Sequence, residues 1–195
     1  MWKIANTILL ATFILCNCQK DVSKAKQGVS IPQGLSDEQA IELICKQVYQ
    51  AQLKQIKISK TPEGYYADID FGGSSAFTFL NRNNYKSRVY ALTALYLFRV
   101  MQAGKKYNLQ TIRSSLSKPF HVKHKELKQE IVEEFEVLRV KSTREKLEKI
   151  TGWNTTSAFS RTQNGGPSQD VFKILGEIPK HWQVELDELY RIEIK

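Results

Sequence analysis

A chain of 195 residues, 42% hydrophobic and 25% charged, has the makeup of one folded domain with an apolar core, and excludes both a disordered chain and a polytopic membrane protein. With 29 Lys and Arg against 20 Asp and Glu the formal charge is +9, which points toward anionic company. Three cysteines leave little scope for a disulfide framework.

The first residues, Met1, Trp2 and Lys3, are followed by an uncharged stretch from Ile4 to Leu15. A basic start and about a dozen apolar residues are too short for a bilayer core, which needs roughly 20, and read as a signal peptide. The stretch ends Leu15-Cys16-Asn17-Cys18, which resembles a bacterial lipobox: aliphatic at −3, small at −1, then the lipidated cysteine. Asn17 stands where Gly or Ala is usual and is similar to the looser spirochaete version. Cys16 as acceptor would put Leu15 at −1, against a peptidase that needs a small side chain there. The resemblance implies that residues 1–17 leave, and that Cys18 carries acyl chains holding the protein to a membrane without spanning it. It also implies a cell-envelope address, the outer membrane ahead of the inner, facing periplasm or cell surface. Only Cys45 would then remain as a thiol, so no intrachain disulfide is expected.

Residues 18–34 are polar and aperiodic, end with Pro32 and Gly34, and read as a flexible tether; residues 35–195 are expected to form a single compact α+β domain. Ser36 and Gln39 make a capping box, after which Ile41, Ile44, Cys45 and Val48 line one helical face. Residues 55–59 and 65–71 alternate with period two around Thr61-Pro62-Glu63-Gly64, predicting a β-hairpin. Gly72-Gly73-Ser74-Ser75 reads as a strand-ending turn rather than a nucleophile, and residues 76–80 as a short third strand. Asn83 or Asn84 is expected to cap the strongest helix, whose interior VYALTALYLFRVM is apolar nearly all round with Arg99 its one charge, and Gly104 to end it. At 13 residues this interior predicts a buried central helix rather than a span.

Residues 107–116 are expected as a strand. Across 123–140 two patterns overlap, and the expectation is a helix to about Glu134 with a strand after it. Ser142 and Glu145 suggest a second capping box, opening a short helix closed by Gly152. Residues 153–168 form a long loop with Arg161 as its single charge, followed by a helix over 169–178 ended by Pro179, and terminal strands within 182–194.

Neither a nucleophile elbow nor a phosphate loop is present, so no catalytic residue, cofactor or metal site is assigned. His121 and His124, near Glu126 and Glu130, would share a face only on a helix, with Lys123 and Lys125 repelling a cation between them. Charge is the one strong feature. From Phe71 to Lys125 there is no Asp or Glu, while ten Lys and Arg accumulate. Arg82, Lys86, Arg88, Lys105, Lys106, Arg113, Lys118, Lys123 and Lys125 are the expected anion-binding residues, on a basic surface centred on both ends of the central helix. The expectation is a lipid-anchored binding or scaffolding protein toward an anionic polymer, a lipid headgroup or an acidic protein, with no nucleic acid in reach after export. Two alternatives stay open: an envelope hydrolase with a cleft under the 153–168 loop, and an intracellular nucleic-acid binder should the leader stay in place.

Overall fold

In the computed structural model, which describes residues 28–73, 82–124 and 129–189, Ser36 caps helix α1 (Asp37–Tyr49). Its Oγ accepts from Gln39 N at 3.2 Å, and Gln39 Oε1 accepts in return from Ser36 N at 3.0 Å. Asp37 and Glu38 sit in the positive first turn. The predicted face, Ile41, Ile44, Cys45 and Val48, is buried.

Strands β1 (Leu53–Thr61) and β2 (Gly64–Phe71) form the expected antiparallel hairpin. Gly64 closes its turn at φ +143°, where a Cβ would stand 2.5 Å from Asn108 O. Helix α2 (Arg82–Ala103) then crosses over, so that β3 (Leu109–His124) runs parallel to β2, the one parallel pair in the sheet. Strand β4 (Gln129–Thr143) returns antiparallel along β3. A single turn, α3 (Arg144–Leu147), and a long loop lead to α4 (Gln169–His181) and the edge strand β5 (Gln183–Asp187). The sheet order is β1-β2-β3-β4-β5, and the architecture is α+β as expected.

Alternate strand residues, among them Ala67, Ile69, Ile112, Leu116, Leu138 and Val140, join one core with α1, α2 and α4. The opposite sheet face carries Asp68, Arg113 and Glu185, where Arg113 donates to both carboxylates across the strands. The central stretch of α2 is buried through Val89, Ala94, Leu97, Phe98 and Met101, as its apolar interior predicts. Among the described residues no helix is long and apolar enough to cross a membrane.

Several expectations are corrected. Helix α2 starts at Arg82, so Asn83 and Asn84 lie inside its first turn rather than capping it. Strand β3 begins at Leu109 and runs to His124, well past Leu116. No helix occupies 129–134. That segment is strand because β4 pairs with β3 from His124↔Gln129 to Thr111↔Thr143, with one bulge at Val137, a ladder that satisfies backbone groups a short helix would leave open at its ends. Ser142 caps nothing, since it still lies in β4 opposite Ile112 and its hydroxyl donates to His181 O at 3.4 Å. Helix α4 passes through Pro179 to His181, because a proline in the last turn removes a single donor. The strand expected over 76–80, and any beyond Leu189, lie outside the described residues.

Candidate anion-binding site

The C-terminal end of α2 gathers the site. Gln102, partly buried, reaches out of the helix to the following loop: Nε2 donates to Trp153 O at 3.0 Å and to Thr156 O at 2.6 Å, while Oε1 accepts from Ala158 N at 2.7 Å. One side chain thus holds the start of the 153–168 loop against the helix. Farther along, Thr162 N donates to Gly166 O and Ser168 N to Ser160 O, closing a tight turn with Arg161 at its base.

Arg144, buried at the head of α3, satisfies the end of α2 from below. Its Nε donates to Leu109 O at 2.9 Å and its Nη2 to Met101 O at 3.0 Å, a guanidinium placed at the negative pole of a helix. Gly104 ends α2, and the turn after it carries Lys105 and Lys106. Lys105 Nζ stands 3.1 Å from Glu148 Oε1 and donates to Asn154 Oδ1 at 3.0 Å, whereas Lys106 Nζ lies 4.7 Å from the Tyr107 ring centroid.

Across this end lies the segment from Gly28 to Ile31, which the sequence reads as the last part of a tether. Ser30 N donates to Gln47 Oε1 at 3.0 Å, Gln47 Nε2 donates to Ser30 O at 2.7 Å, and Val29 and Ile31 pack on the core. The domain therefore includes this segment, ahead of the expected start at residue 35, because Val29 and Ile31 supply apolar contacts that an aperiodic polar stretch does not advertise. The docked strap divides the surface into two clefts that share Val29 and Phe159. One, of about 420 Å³, is lined by Lys105, Lys106, Arg144, Trp153 and Asn154; the other, of about 410 Å³, by Arg99, Arg161, Gln47, Gln50 and Val48.

Arg99 is half-buried, its Nε donating to Ala158 O at 3.3 Å and its Cζ 5.5 Å from the Phe159 ring centroid. Burial pushes its guanidinium below the usual arginine range, and the Arg161 charge pushes the same way. Burial also lowers Arg144, with Glu148 opposing. Both remain cations at neutral pH. Among the described residues no carboxylate pairs with Arg99, Lys106 or Arg161. Neither cleft is lined there by Asp, Glu, His or Cys. Both clefts border the 153–168 loop, which lines them with Trp153, Asn154, Phe159 and Arg161 beside the cationic and amide side chains.

Of the expected anion-binding residues, Lys105 and Lys106 are at this site. Lys86 and Arg88 are at the other end of α2, a 22-residue helix of about 30 Å, so the two ends do not form one patch. Lys86 is also committed elsewhere, donating to Asp187 at 2.9 Å, and Arg113 to Asp68 and Glu185. Lys118 is buried beside Lys54 and Glu134, with burial first and then Lys54 pushing its amine down. Arg82 and Lys123 are placed only by their backbone, and Lys125 and Cys18 lie outside the described residues. His121 and His124 are on strand β3 rather than on a helix. Arg99, Arg144 and Arg161 were not among the expected residues. A signal for two of them stands in the sequence: each is the solitary charge in an otherwise uncharged stretch, and it is these two that meet.

No protein-family model matches this chain, no curated protein matches it, and no solved structure matches it.

Proposed function

We propose that this chain is a lipid-anchored protein of the bacterial envelope that binds an anionic partner at the clefts beside the strap. The observation that carries the reading is the gathering of Arg99, Lys105, Lys106, Arg144 and Arg161 around a segment that leads straight back to the lipobox-like cysteine. Gly28 is ten residues after Cys18, so a chain extending at most about 3.6 Å per residue keeps this end of the domain within roughly 35 Å of the acyl chains. At that range an exposed cationic surface and a negatively charged leaflet attract each other.

Two measurements test it. Radioactive fatty acid should label the wild-type protein and not Cys18→Ala; label retained by the variant removes the anchor. On heparin, replacing Lys105, Lys106 and Arg161 by Gln should lower the eluting salt concentration well beyond the same replacement at Lys57, Lys60 and Lys173, which are exposed elsewhere. Equal losses from the two triples would mean net charge alone is at work.

A further inference from the structure

The smaller cleft is built for more than general attraction. Two guanidiniums face it, one of them half-buried, and among the described residues neither has a carboxylate. Two like charges side by side, Arg99 half-buried and Arg161 exposed, repel each other, and an anion seated between them relieves that repulsion. Guanidinium forks match phosphate oxygens in pairs, which selects a phosphate over a diffuse negative surface. The Arg99 fork is held in place by Ala158 O and the Phe159 ring, and Arg161 by the closed turn that carries it.

The rest of the lining is neutral and divided. Gln47 and Gln50 supply amides, whereas Val29, Val48 and Phe159 supply an apolar wall. About 410 Å³ is small-molecule scale: it holds a headgroup with its glycerol shoulder but no length of polymer or folded chain. One part of that wall, Val29, comes from the segment that follows Cys18 in the chain, the others from α1 and the 153–168 loop.

We infer that the Arg99–Arg161 cleft binds the phosphate of an anionic glycerophospholipid from the membrane that holds the anchor, with the first carbons of its acyl chains against Val29, Val48 and Phe159. This rests on the anion-binding reading above and narrows it to one ligand class. The protein would then touch its membrane twice, through the acylated cysteine and through a captured headgroup.

The test uses the full lipidated chain in a nonionic detergent, titrated calorimetrically with dihexanoyl phosphatidylglycerol, dihexanoyl phosphatidylcholine and inorganic phosphate. Phosphatidylglycerol should bind about tenfold more tightly than the zwitterionic lipid, and Arg161→Gln, on an exposed loop, should weaken it about tenfold, the loss of one charge-assisted contact. Arg99→Gln should do at least as much, and Lys57→Gln should leave binding as it is. Equal binding of the two lipids, or unchanged affinity in Arg161→Gln, overturns the inference. Inorganic phosphate binding as tightly as phosphatidylglycerol also overturns it, assigning the cleft to the free anion. A protein that ignores the lipid yet loses heparin retention in the cleft triple keeps the anion-binding function and loses only this assignment.

Discussion

Asp187 is where one side chain ties the end of β5 to α2. It accepts from Lys86 Nζ and Tyr90 Oη on α2, each at 2.9 Å, and from Leu189 N at 3.1 Å. Burial alone would raise its carboxyl, but these three bonds outweigh burial and hold it below the ordinary aspartate range. Lys86 is raised, first by the same bond. The signs follow from linkage: a depressed carboxyl stabilises the fold fully above its unfolded value, about pH 4, and loses that contribution as pH falls through the lower folded value. The Lys86 share is kept below its unfolded value, about pH 10, and lost as pH rises through the raised one. Asp187→Asn should therefore flatten the acid limb of a stability-against-pH curve measured by urea unfolding. An acid limb identical to the parent's would show that other carboxylates set it.

Among the elements, α2 is joined to the 153–158 segment both by Gln102 and by the Phe98–Trp153 ring contact at 4.6 Å. Gln102→Ala removes three hydrogen bonds at once and should cost about 2–3 kcal/mol in urea unfolding, with faster protease cleavage between 153 and 161. A parent-like cleavage rate would mean that Trp153 and Ala158, both buried, hold the loop without it. Elements specified by near neighbours were legible in the sequence: the Ser36 cap, the hairpin turn at Gly64, the largely apolar run of α2 ended at Gly104. The 123–140 segment was not, because its spacing fits both periods and its strand identity comes from a partner chain segment in β3. Past Leu116 and Val137 that pairing continues, among the described residues, as a two-stranded ribbon beyond β2 and β5, with Val132 and Phe135 exposed. Pro119 lacks a donor on one edge and Glu133, Glu134 and Glu136 crowd the other, which discourages a further strand from adding there. The clefts were illegible for a similar reason. Residues 29, 47, 99, 144 and 161 are brought together only by packing, and composition ranked the segment 71–125 above them.

For the whole molecule, the docked strap sets which end the proposed anchor would hold toward a membrane. With Ser30 held by Gln47, a lipid on Cys18 would tether the domain from the end bearing Lys105 and Lys106, whereas a tether free through residue 34 would let any face turn inward. Nitroxide headgroups in a nanodisc carrying the lipidated chain should broaden the amide signals of Lys105 and Lys106 well before those of Lys86 and Arg88. Uniform broadening would mean that the strap does not orient the domain. Gln47→Ala, which removes both bonds to Ser30, should reduce the contrast.

Cys45 lies with no exposed surface on α1, and burial, then the Glu42 charge, pushes its thiol far up. At neutral pH it offers no thiolate to an oxidant or a mixed-disulfide partner while the native packing holds. An alkylating reagent can reach it only through opening of the helix layer, so the natural sequence already contains a clock for that opening, readable by mass with no probe engineered in.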